Sequence, residues 1–195
     1  MTMKKICVFC ASNSGNSPQY LETARKLGKF ISDQNADLIY GGATVGLMGA
    51  VADGAMQAGG RVFGVLPKSL QGREIAHAKL TKLYIVDSMH ERKQMMFDLS
   101  DAIIVLPGGL GTLDETFEIL TWAQLGLHQR PCGILNINGF YDHLLKHLDV
   151  SVSEGLLKAE HRSMLLVSDT IEDLWDQMRN YRAPVTEKWI SRVQT

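Results

Sequence analysis

The chain has 195 residues, 45% hydrophobic and 21% charged, enough to bury one sizeable core and most simply read as a single domain over residues 1–195, with the tail from about 182 peripheral. A formal net charge of -1 gives no electrostatic footprint for a nucleic-acid partner, so a phosphate site must be local and its ligand a small phosphate ester. No apolar run approaches about 18 residues and the N-terminus lacks a signal-peptide core, which predicts a soluble, cytoplasmic protein with no membrane partner.

Ile6 to Phe9 reads as a first buried strand, followed by the small polar loop Cys10 to Asn16, a composition typical of loops around ligands. Cys7 and Cys10 have CxxC spacing, but strand alternation puts them on opposite sides, so they and Cys132 are read as buried thiols. Ser17 caps a first helix with Pro18 at its first position and an apolar stripe through Leu21, Ala24, Leu27 and Ile31. Leu38 to Tyr40 is a second strand. It runs into the glycine-rich turn Gly41 to Gly49 and a small-residue helix from about Ala50 to Ala58.

Val62 to Leu66 is a third strand that Pro67 ends. Lys68 to Lys79 is a polar loop or short helix that holds Glu74 and His77. Leu83 to Val86 is a fourth strand, and Ser88 with Glu91 has capping-box spacing for a helix through Leu99. The apolar run Ala102 to Leu106 then meets Pro107-Gly108-Gly109-Leu110-Gly111-Thr112-Leu113-Asp114-Glu115 and a helix to about Leu127. A strand from Gly133 to Ile137 follows. The remainder reads as helical: Tyr141 to Leu148, a short helix boxed by Ser151 and Glu154, and Ile171 to Met178.

Strands alternating with helices predict an α/β, Rossmann-like, doubly wound parallel sheet with helices on both faces. Ligands of such sheets bind beyond the carboxyl ends of the strands, where strand order reverses. The loops after Phe9, Tyr40 and Leu106 all fall at that edge, which predicts one nucleotide-sized site. Neither glycine run matches the dinucleotide or P-loop fingerprint. The helix start after Gly111 suits a phosphate, because it offers unpaired N–H groups and partial positive charge. Glu115, within a turn of that anion site, is either a working carboxylate or the far end of a capping box that starts at Thr112.

Three stretches together resemble the LONELY GUY (LOG) family: Tyr40-Gly41-Gly42 through Gly46-Leu47-Met48-Gly49, Met89-His90-Glu91-Arg92-Lys93, and Pro107 to Glu115. Cys7 to Cys10, Trp122, Gln124-Leu125-Gly126 and Gly139-Phe140-Tyr141-Asp142 extend the likeness over about residues 4 to 165. The resemblance implies a Rossmann-like homodimer that hydrolyses the N-glycosidic bond of a nucleoside 5′-monophosphate, as cytokinin riboside monophosphate phosphoribohydrolases and AMP nucleosidases do. No cofactor is implied. By position it makes Arg92 and Glu115 the catalytic pair and sets Gly109, Leu110, Gly111 and Thr112 on the phosphate, with Glu74, Lys93 and Thr121 on the nucleotide. Ser12, Gly42, Gly46 and Met89 complete the expected substrate contacts, along with Gly108, Leu113 and Asp114 of the turn. Two residues depart from the family pattern: Ala43 stands where a third glycine is usual, and Asp114 where a glutamate is usual.

The chemistry suits that pair. Cleaving a ribosyl–nitrogen bond builds positive charge on the sugar, which a carboxylate stabilises while it orients or deprotonates water; the arginine holds that carboxylate or the phosphate. Met89, Met95 and Met96 are otherwise packing residues, Arg92 and Lys93 otherwise a solvated helix face, and Glu74 otherwise a surface carboxylate. His77 and His90 have no partner at metal-ligand spacing, so no metal is assigned. The rival readings are a pyridoxal-phosphate decarboxylase, for which no lysine has a Schiff-base motif, and a non-catalytic nucleotide or cofactor carrier on the same fold.

Overall fold

The computed structural model describes residues 3–70, 77 and 79–184. Its sheet is all parallel, with seven strands in the order β4-β3-β2-β1-β5-β6-β7: β1 (Lys5–Phe9), β2 (Asp37–Tyr40), β3 (Val62–Pro67), β4 (Lys82–Val86), β5 (Ala102–Val105), β6 (Cys132–Leu135) and β7 (Leu165–Ser168). The chain works outward from β1 to β4, then returns to the other side of β1 with β5. The switch point therefore lies between β1 and β5, where Ile6 to Phe9 pair with Ala102 to Val105.

Strand alternation divides the core. From β1, Ile6 and Val8 join Leu38, Tyr40 and Ile104 on one face, beneath α1 (Pro18–Asp33), α2 (Gly46–Gln57) and the last described helix, Ile171–Asn180. Cys7 and Phe9 join Ile39, Ile103 and Val105 on the other, beneath α3 (Met89–Asp98), α4 (Leu110–Gln124) and α5 (Asp142–Ser153). Both faces are thus covered, as near-continuous apolar strands require. The cysteines fall as alternation predicts, Cys10 with the first cluster and Cys7 and Cys132 with the second, all buried and unpaired.

Helices α1 and α2 cross closely. A Cβ at Gly28 would lie 2.0 Å from the Val51 carbonyl oxygen, and one at Gly54 2.1 Å from that of Arg25, so only glycine permits this approach.

Three expectations are corrected. The tail is not wholly helical, because Leu165–Ser168 pairs with β6 as an edge strand. Ser151 does not open a short helix: it lies inside α5, its hydroxyl donating to the His147 carbonyl, and Glu154 ends that helix. Helix α2 begins at Gly46 rather than near Ala50. Within the expected loop 68–79, Lys68–Leu70 form a single 3-10 turn, whereas Glu74 lies outside the described residues. His77 Nε2 stands 3.0 Å from Asp53 Oδ1 on α2, and the His77 amide donates to the Gly42 carbonyl.

Candidate active site

A cavity of about 380 Å³ opens at the carboxyl edge of the sheet, over the switch point. The loop after β1 contributes Ser12 and Asn13, the turn after β2 gives Gly41, α3 gives Met89 and Arg92, and α4 gives Gly109 to Thr112, Asp114 and Glu115. The three loops expected to converge do so.

The two glycine-rich helix starts differ in what they leave open. At α2, the amides of Leu47 and Met48 donate to the Ala11 carbonyl at 3.1 and 3.4 Å, and that of Gly49 donates to Val45. At α4, Gly109 is the N-cap and the Leu113 amide closes the first turn onto the Gly109 carbonyl at 3.0 Å, so the amides before it have no intrahelical acceptor. A Cβ at Gly109 or Gly111 would meet no atom within 4 Å, and neither has a positive φ. Packing and backbone strain therefore do not require glycine there. The open space above those amides suits an anion that approaches the main chain.

Gly108 differs, since its Cβ would fall 2.1 Å from Thr112 Oγ1. Gly42 (φ 85°) and Gly46 (φ 57°) shape the neighbouring turn, and a Cβ at Gly46 would lie 2.3 Å from the Ser12 carbonyl carbon. Gly46 seats α2 against the loop after β1, Gly42 packs on β3 and β4, and neither lines the cavity.

The capping-box reading of Glu115 is overturned, because α4 begins at Leu110, which puts Thr112 inside the first turn and Glu115 beyond it. Glu115 is 9% exposed and lines the cavity. Burial pushes its carboxyl from 4.5 to about 7; Arg92 pulls it down, Asp114 pushes it up, and Lys93 and Glu118 act in the same opposed senses more weakly.

Arg92, 6% exposed, donates through Nε to the Val65 carbonyl at 3.2 Å and through Nη2 to that of Gly41 at 3.1 Å. The sulfurs of Met89 and Met48 lie 4.0 and 3.9 Å from its Nη1 and Nη2. The guanidinium is thus fixed by strand-end carbonyls beside the acid. The capping box at the start of α3 holds that helix in place: Ser88 Oγ accepts from the Glu91 amide at 3.1 Å, while Glu91 Oε2 accepts from the Asp87 amide at 2.8 Å.

Lys93 stands next to the cavity, not in it. Its ammonium reaches Asp114 at 3.0 Å and Glu118 at 3.1 Å, linking α3 to α4. Leu113 and Thr121 lie along the outer side of α4, in a groove with Phe117 and Trp122 that adjoins the cavity through Leu110 and Asp114. Cys10, Asn13, Met48 and Met96 line the cavity without having been chosen from sequence as contacts. Cys10 and Asn13 had a signal in their place in the small polar loop, and Met48 in the glycine-rich turn. No group of three metal-ligating side chains occurs among the described residues.

A family model described as possible lysine decarboxylase matches residues 48–178. The chain is 42% identical over 184 residues to the cytokinin riboside 5′-monophosphate phosphoribohydrolase LOG7 of Arabidopsis thaliana, covering 94% of this chain and 85% of that protein. It is 42% identical over 178 residues to the cytokinin riboside 5′-monophosphate phosphoribohydrolase LOG of Oryza sativa subsp. japonica, covering 91% and 74%. The chain belongs to the LOG family.

Solved structures similar in fold include a molybdenum cofactor binding protein from Rippkaea orientalis, with a TM-score of 0.69, 22% identity and coverage of 92% of this chain and 97% of that one. The molybdenum cofactor carrier protein of Chlamydomonas reinhardtii gives a TM-score of 0.65 at 20% identity, covering 90% and 99%. At such identities the likeness extends to the LOG fold alone. Of the two departures from the LOG pattern, Ala43 is fully buried without a positive φ, so its methyl group brings no backbone strain. Asp114 is the carboxylate that meets Lys93.

Proposed function

We propose that this protein hydrolyses the N-glycosidic bond of an adenine-type nucleoside 5′-monophosphate, with or without an N6 substituent, to free base and ribose 5-phosphate. The observation that carries this reading is the pairing, in one cavity, of an open helix start at α4 with the buried Glu115 carboxyl and the fixed Arg92 cation. The named activity of the relatives at 42% identity supports it.

The phosphate seats on the amides from Leu110 to Thr112, remote from the bond broken, and its binding energy holds the sugar over Glu115. As the bond to the base lengthens, positive charge grows on the sugar and favours the ionised Glu115 in its poorly solvated surroundings. Glu115 then takes a proton from the attacking water, whose oxygen bonds the anomeric carbon, and the base leaves with an equivalent proton. Arg92 lowers the acidity barrier of Glu115 and balances its charge. No lysine lines the cavity among the described residues, and the buried Lys93 amine is engaged by two carboxylates, which disfavours a Schiff-base decarboxylase.

We also propose that the whole chain acts as one domain in a cytoplasmic homodimer. The apolar groove on α4, with Leu110 87% exposed at its end, supports an interface there, and unpaired buried cysteines suit a reducing compartment. No helix of the described residues is long and apolar enough to cross a membrane. A mass from light scattering equal to one chain overturns the dimer.

Chromatography of base released from AMP, from its N6-isopentenyl analogue and from the matching nucleosides tests the reaction. Hydrogen bonds to a charged group contribute about 1.5–3 kcal/mol each, so even two of these three amides on the phosphate give about 10²- to 10⁴-fold preference in kcat/KM for the monophosphates. Tight binding of nucleotide with no base released identifies a carrier instead.

A further inference from the structure

We propose that Tyr141 is the positioning residue of the phosphate turn: its phenolic hydroxyl holds the main chain around Pro107 and so sets where the first amides of α4 stand. The inference rests on the phosphate seat assigned to α4 above, and it concerns a side chain that does not line the cavity.

The main chain entering the turn has its polar groups satisfied from a few sources. The Leu106 amide donates to the Phe9 carbonyl at 2.9 Å, Pro107 has no amide, and the Pro107 carbonyl accepts from the Ala11 amide at 3.1 Å. The Leu106 carbonyl, in a fully buried residue, accepts from Tyr141 Oη at 2.9 Å. Burial pushes the Tyr141 phenol up. The phenol therefore stays protonated and able to donate to Leu106 throughout the neutral range. Strand β1 holds one side of the turn; this hydroxyl holds the other.

Tyr141 reaches that place from the connection between β6 and α5. Two successive left-handed residues, Asn138 (φ 55°) and Gly139 (φ 66°), turn the chain back toward the sheet. Asn136 then fixes the arriving residue, since its Oδ1 accepts from the Tyr141 amide at 2.8 Å while its Nδ2 donates to Asp142 Oδ1 at 2.7 Å. The ring is 3% exposed, packed in the α3–α4–α5 face of the core with Phe140 edge-on at 4.8 Å. A buried aromatic held at its amide by Asn136 and at its hydroxyl by the carbonyl that precedes Pro107 does more than fill space. Releasing it frees the turn to move, and a displacement of about 1 Å at a ligand-orienting group is enough to cost about 100-fold in turnover.

Tyr141→Phe keeps the ring and removes the hydrogen bond to the Leu106 carbonyl. Calorimetric titration of the full chain with inorganic phosphate and with ribose 5-phosphate is expected to show roughly 5- to 50-fold weaker binding of each than by the wild type, as leaving the buried Leu106 carbonyl without its donor implies. KM for the nucleoside monophosphate rises by a similar factor, while kcat/KM for the matching nucleoside, which has no phosphate, changes by less than about twofold. Asn136→Ala, which keeps the hydroxyl but loosens its main chain, moves both phosphate affinities the same way by less, and it carries the test if Tyr141→Phe does not fold. Unchanged phosphate affinity in both variants, or an equal loss of kcat/KM for nucleotide and nucleoside, overturns the proposal and leaves Tyr141 a packing residue. If the wild type releases no base but the phosphate affinities fall as stated, the positioning role stands and the hydrolase reading alone fails.

Discussion

Glu115→Gln removes a carboxyl that burial holds near 7 instead of 4.5, and it leaves an amide of nearly the same shape. Between those two values the folded protein keeps a proton that the unfolded chain has lost. Stability therefore falls as pH rises from 4.5 to about 7; below that window the group contributes nothing, and above it the whole penalty applies. At 1.36 kcal/mol for each pH unit of displacement, the penalty is about 3 kcal/mol at pH 8. Glu115→Gln is accordingly expected to resist urea better than the wild type at pH 8, by up to about 3 kcal/mol, and to lose that advantage at pH 4.5. Its kcat is expected to fall by about 10²- to 10⁴-fold, since an amide takes no proton. In the wild type, kcat/KM is expected to rise with pH to a plateau above about 7, the acid limb of the free enzyme. Urea midpoints at the two pH values and a pH–rate profile check both halves. A wild type more stable than the variant at pH 8, or an acid limb near 4.5, refutes the environment assigned to this carboxyl.

Arg92→Lys keeps the charge, but a single ammonium cannot reproduce the fork that spans the Val65 and Gly41 carbonyls. Base release is expected to fall by about 100-fold, with about 1–3 kcal/mol of stability lost, read by chromatography and urea denaturation. Tyr40 Oη is buried with no hydrogen-bond partner among the described residues, so Tyr40→Phe is expected to leave the urea midpoint unchanged or raise stability by about 1 kcal/mol; a loss above that reveals a hidden partner.

Much of the architecture was legible because parallel strands buried on both faces advertise themselves as apolar runs. Ile6 to Phe9 and Ala102 to Leu106 needed no other signal. β7 was missed for the opposite reason: at the sheet edge Leu166 and Val167 are only half buried, and a run as short as Leu165–Ser168 has no helical or strand period to detect. Thr112 and Glu115 had capping-box spacing, but Gly109 captured the N-cap position one turn earlier, a choice made by the fold and not by the spacing. The convergence of Ser12, Arg92 and Glu115 followed from topology. That Lys93 turns to Asp114 and Glu118 did not, since the partners of a lysine depend on a helix crossing that sequence does not record. Tyr141 illustrates the same limit, because its contact with Leu106 joins residues 35 apart across a strand pair.

The Ala11 carbonyl has a consequence for ligand choice. By taking the Leu47 and Met48 amides it closes the helix start at α2, so of the two glycine-rich starts at this edge only that of α4 is available to an anion. Opening the α2 start to an anion would mean breaking the main-chain bonds that tie α2 to the loop after β1. What closes that start is a backbone oxygen, so no side-chain substitution removes it.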